Sequence, residues 1–126
     1  MRDKIIRFLI VLLVILSTAA LADTQKEITH LLEFVGNTAC KFERNGNLYG
    51  GIEAQGHIKI KYQYFIDKIN SAEDFIKYSA TRSTFSGKKY TILCADMPMQ
   101  FSSDWLLEEL KKYRQSRLGG NSRLPV

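Results

Sequence analysis

The chain of 126 residues is short of most residues that announce a catalytic or metal-binding protein. It has two cysteines and no CxxC pair. With only two histidines beside them, no spacing matches a zinc site, and no metal or cofactor is expected. No G-x-S-x-G nucleophile elbow occurs. Prolines number two, at Pro98 and Pro125, and no proline-rich linker, repeat or low-complexity run divides the chain. The longest uninterrupted apolar run is Phe8 to Leu16, far short of the ~20 residues of a membrane span. Even as Phe8 to Ala22, with its small and hydroxyl residues, the stretch is too short for one.

What stands at the start is a three-part leader. Arg2, Lys4 and Arg7 outweigh Asp3, the apolar run follows, and Ala20-Leu21-Ala22 supplies small residues at a cleavage site. A secretory signal peptide over residues 1–22, cut after Ala22, is expected, with an uncleaved anchor as its rival. No cysteine sits at that point, so no lipoprotein signal is read. The formal net charge is +5. Without residues 1–22 the balance is 15 basic to 12 acidic, net +3. The basic residues are scattered along the sequence, which argues against nucleic acid as a partner. Anionic surfaces, such as lipid headgroups or cell-wall polymers, stay open.

Both cysteines, Cys40 and Cys94, lie beyond the leader, where an exported chain keeps its disulfides. One bridge closing a long loop is the expected reading. The rest predicts a single small α+β domain over 23–115, mainly helical with about four helices. A short β-hairpin or small antiparallel sheet completes it, and a flexible tail follows over 116–126. Ile28, Leu31, Leu32 and Val35 recur at helical spacing, with Thr24 as a cap. Cys40 to Tyr49 alternates around Asn45-Gly46, a tight-turn pair, with Phe42 turned inward. Glu53 to Asn70 reads two ways. Its first half alternates as a strand does, yet Ala54, Ile58, Tyr62, Phe65 and Ile69 step as a helical stripe does, at the cost of an outward Ile60. Ser71 caps a helix opened by Glu73 and Asp74. Tyr90 to Cys94 reads as a strand, and Ser103 caps a last helix over 104–115.

Four blocks carry a resemblance. They are Cys40-x-Phe42-x-Arg44-Asn45-Gly46-x-x-Tyr49, Glu53-Ala54-x-x-His57-Ile58-x-x-Lys61-Tyr62, Ala72-Glu73-x-Phe75-Ile76 and Ser83-x-x-Ser86-Gly87-x-x-Tyr90. In this order the chain resembles the YfeK-like family of small exported bacterial proteins of unknown function. The resemblance implies periplasmic residence, a fold dominated by helices and a helix over 53–70. It implies no activity. Gly50-Gly51 stands where such proteins commonly have a polar cap, which implies a looser helix start here.

Several side chains suit chemistry. Glu53, His57 and Lys61 share one helical flank at steps of four, so Glu53 could orient His57 as a general base. The plainer role for His57 is packing at the core boundary. Arg44 suits a carboxylate or phosphate, or else an ion pair with Glu53 or Glu73. Tyr49 and Tyr90 read as core aromatics with a hydroxyl reaching a partner. Ser83 and Ser86 are the tempting nucleophiles, or else loop caps with Gly87 as pivot. His30 reads as a surface residue. The leading expectation is a non-enzymatic binding or accessory module of the cell envelope. It would present Arg44, Tyr49, Glu53, His57, Lys61, Ser83 and Ser86 to an envelope protein or a cell-wall component. The alternative is a small hydrolase of cell-wall material using His57, Glu53 and Ser83 or Ser86.

Overall fold

The structure is a computed structural model. It describes residues 2–121, with the side chains of 14–19 and 121 outside that description. Its elements run α1 (Arg2–Asn37), β1 (Lys41–Arg44), β2 (Asn47–Tyr49), α2 (Gly51–Tyr64), a 3₁₀ turn (Ile66–Lys68), α3 (Ala72–Ser79), β3 (Thr91–Leu93), β4 (Gln100–Phe101) and α4 (Ser102–Asn121). The fold is α+β, helices against one small antiparallel sheet, as the sequence predicts.

No glycine or proline interrupts residues 2–35, so α1 runs through residue 22 without a break. Thr24 therefore lies inside the helix and caps nothing. The two parts of α1 differ in what they touch. Ile28, Leu31 and Val35 are buried, whereas Ile5, Phe8, Leu9 and Leu13 are more than half exposed.

The sheet has the order β2-β1-β3-β4. Its central pairing puts Phe42 opposite Ile92, and both side chains face inward and are buried. Leu48 and Leu93, on the other face, stay exposed. Asn45 and Gly46 both take positive φ, 51° and 82°, the two-residue turn the Asn-Gly pair favours. Cys40 and Cys94 flank the β1–β3 pairing and are joined, with Sγ–Sγ 2.04 Å.

Helix α2 resolves the ambiguous segment: Ala54 and Ile58 are buried, and Ile60 points outward, 69% exposed. The helix is shorter than expected. After the Phe65 N–H bonds the Lys61 carbonyl, Lys68 N–H reaches only to Phe65, so the chain tightens into the 3₁₀ turn. No side chain caps its start at Gly50. Gly51 answers a different need. A Cβ there would stand 2.4 Å from the Val35 carbonyl oxygen, so glycine is what lets the start of α2 sit on the end of α1.

Ser71 caps α3 as expected, its Oγ accepting from Asp74 N–H at 3.0 Å. Phe75, Ile76 and Ala72 are buried from α3, and Leu106 and Leu110 from α4. Helix α4 begins two residues earlier than expected, because the Ser102 N–H is held by the Tyr90 carbonyl and the turn into the helix starts there, so Ser103 lies inside the helix and does not cap it. It also runs on through 116–121, so that part of the expected tail is helical; 122–126 lie outside the described residues.

One ion-pair cluster ties the helices together. Arg114 of α4 donates from Nε and Nη2 to both oxygens of buried Glu27 on α1, at 2.6 and 3.0 Å, and also to Glu73 of α3. Those bonds raise the Arg114 pKa further above its ordinary value. Glu73 is thereby committed and is not a partner of Arg44. His30 is not a plain surface residue either. It donates to Glu109 at 2.9 Å and stacks on Tyr113.

Candidate functional site

Arg44 ends β1 at the turn, and α2 passes beside it. The rigid hairpin thus delivers the guanidinium to His57, whose Nδ1 lies 3.2 Å from Arg44 Nη1. A guanidinium only donates, so Nδ1 accepts, and the proton of the neutral ring sits on Nε2. Burial lowers the His57 pKa first and the Arg44 charge lowers it further, with Glu53 working the other way. Tyr49 packs edge-on against His57, and the Arg44 guanidinium lies 5.2 Å from the Tyr49 ring centre. Glu53 is exposed and acts on His57 through its charge, and among the described residues it is Arg44, not the expected Glu53, that is hydrogen-bonded to the ring.

One helical turn on, the Lys61 ammonium donates to the Arg82 carbonyl and to the Tyr90 hydroxyl at 3.2 Å. Burial, then the Arg44 charge, pushes its pKa down to about 8. Burial pushes the Tyr90 phenol up, while Arg44 opposes it. Among the described residues, no carboxylate forms an ion pair with Arg44 or Lys61. The expected pairing of Arg44 with Glu53 or Glu73 is replaced by the contact with His57. Glu43, the nearest acid on the strand, accepts from Thr91 at 3.2 Å.

Arg44, Tyr49, His57, Lys61 and Tyr90 line a cavity of about 20 Å³ together with Glu43, the apolar Phe42, Ala54 and Ile58, and Ser79 and Ser102. That is room for about one water. Ser79 and Ser102 are both 0% exposed, and neither hydroxyl has a hydrogen-bond partner among the described residues.

Ser83 and Ser86 are built into something else. Asn45 Nδ2 donates to Ser83 Oγ at 3.3 Å, and Ser86 Oγ donates to Asn45 Oδ1 at 2.6 Å. Ser83 Oγ also accepts from Ser86 N–H, and Gly87 turns the loop with φ 72°. These serines clamp the loop to the hairpin, and no hydrogen bond joins either to His57 among the described residues. The spacing Ser86-x-x-Lys89, missed in the sequence, does not make a Ser–Lys pair: the Lys89 ammonium lies over the Phe101 ring, 4.6 Å from its centre. Asn45 was missed as well. Its sequence signal was visible only as a turn, and its side-chain role depends on a loop 38 residues away.

The site thus belongs to a small disulfide-linked α+β domain in which a hairpin and a helix bring two cations together. The chain belongs to DUF5329, a family of unknown function, whose match covers residues 22–114. No curated protein and no solved structure matches the chain.

Proposed function

We propose that this protein is a non-enzymatic binding module of the cell envelope that holds an anionic group at Arg44, His57 and Lys61. The observation that carries the reading is the convergence of Arg44 and Lys61 on one cavity, with no carboxylate ion-paired to either among the described residues; Glu43, which also lines it, accepts from Thr91 instead. One oxygen of a carboxylate or phosphate, about the size of the water the cavity admits, would gain charge-assisted bonds from both. It would also offset the burial and, after it, the Arg44 charge that depress the Lys61 pKa. The commitment of Ser83 and Ser86 to Asn45 favours binding over hydrolysis.

Periplasmic residence is part of the same proposal. The family match begins at residue 22, where cleavage is expected, and the exposed apolar side chains of α1 all precede it or fall at its edge. The disulfide suits an oxidising compartment. Likeness to the YfeK-like family is the finer form of this placement. Among the described residues no helix is long and apolar enough to cross a membrane.

Calorimetric titration with inorganic phosphate at low salt tests the site. Binding should weaken about tenfold or more in Arg44→Gln and in Lys61→Met, the loss expected for a charge-assisted bond. Equal binding by both variants and the parent would refute it. An intact mass beginning at Asp23 in exported material tests the placement.

A further inference from the structure

Lys61 borders a second concavity. Beyond it lies an open groove of about 450 Å³, with Lys61, Lys77 and Arg82 supplying charge and Phe65 and Tyr78 supplying rings. Among the described residues no carboxylate lines this groove. The sequence shows the same asymmetry: residues 75–95 contain Lys77, Arg82, Lys88 and Lys89 and no aspartate or glutamate. Charges that look scattered along the chain are gathered by the fold. Neither Lys77 nor Arg82 forms an ion pair among the described residues.

The cavity and the groove therefore meet at one shared ammonium, with an unpaired cation on either side. We infer that the ligand carries at least two oxyanion groups along one chain, the first held at Arg44 and His57, the next lying across Lys61 against Lys77 and Arg82. This rests on the anionic reading of the first site. Once one group is docked, the second binds at high effective concentration, so two weak contacts give a tight ligand without further machinery. The groove reads charge rather than bases. The Tyr78 ring is already attended by the ammonium groups of Lys77 and Lys68, 5.2 and 6.0 Å from its centre, and offers no clear face for stacking.

The test is a titration series at constant ionic strength with orthophosphate, pyrophosphate and tripolyphosphate, run beside acetate, succinate and tricarballylate. Tripolyphosphate or tricarballylate should bind at least about tenfold tighter than its single-group parent. The series that shows the gain names the oxyanion. The double variant Lys77→Gln/Arg82→Gln should lose that gain and keep orthophosphate binding. Lys111→Gln/Lys112→Gln, which removes the same charge from the exposed side of α4, should keep both. A gain that survives in the groove variant, or that falls equally in the α4 variant, overturns the inference. A single-group anion that binds while its longer relatives bind no tighter also overturns it, and leaves the first site standing. Failure of every single-group anion to bind would instead bring down the first site and this extension together.

Discussion

Lys61 makes the stability of this protein depend on pH in an unusual direction. In an unfolded chain its ammonium titrates near 10.4; in the fold it titrates at about 8. Between those values the unfolded chain holds a proton that the folded chain has released. Unfolding then takes up a proton, so stability rises with pH across this window, and the cost of the buried charge is in full force below it. The full shift corresponds to about 3 kcal/mol. Because the side chain is only half-buried, solvent screening reduces this to about 1–2 kcal/mol. For a domain of this size that is roughly 5–10 °C in Tm. The groups facing the ammonium do not blur the window. His57, whose pKa is lowered, completes its own stabilising rise by about pH 6.5. Tyr90, whose pKa is raised, begins to withdraw stability only above about pH 10. The measurement is thermal unfolding at fixed ionic strength from pH 7 to 10. The parent Tm should climb and the Lys61→Met Tm should stay flat, and phosphate should move the climb to higher pH. Parallel curves for parent and variant would refute the reasoning.

Other expectations follow from the packing. Gly51→Ala should cost about 3 kcal/mol, since its methyl meets the Val35 carbonyl of the backbone, while Gly56→Ala, with nothing within 4 Å, should gain about 0.5–1 kcal/mol; paired chemical melts compare them. Cys40→Ser should cost about 4 kcal/mol, the loop-closure value for a sequence separation of 54, and reduction of the parent should match it. Arg114→Met should lower stability by about 2 kcal/mol by stranding Glu27, and Arg114→Lys should restore only part, because the bidentate fork is lost.

What the sequence made legible was local. The Asn45-Gly46 turn, the Ser71 cap and the inward Phe42 each depend on a few neighbours, and the structure has them. The cysteine pair was legible because only one pairing exists. Residues 53–70 were harder, since an outward Ile60 imitates a strand's alternation. The site was half legible. His57 and Lys61 were in view from their spacing, but the partner of His57 is set by where the hairpin meets α2, and Arg44 lies in a different periodic unit. Glu73 was assigned to the wrong arginine for the same reason: nothing local says that α4 will bring Arg114 to it. The orphan hydroxyls of Ser79 and Ser102 had no signal at all, because serine burial is decided by packing.

The Arg114 clasp also sets the order in which the molecule can be completed. Its partner Glu27 stands 87 residues earlier, and Leu106 and Leu110 on the same helix close the apolar interior. A nascent polypeptide threading outward from its amino end must release nearly all its length before that final segment can dock. Until then it is an unsealed chain, and the clasp closes last.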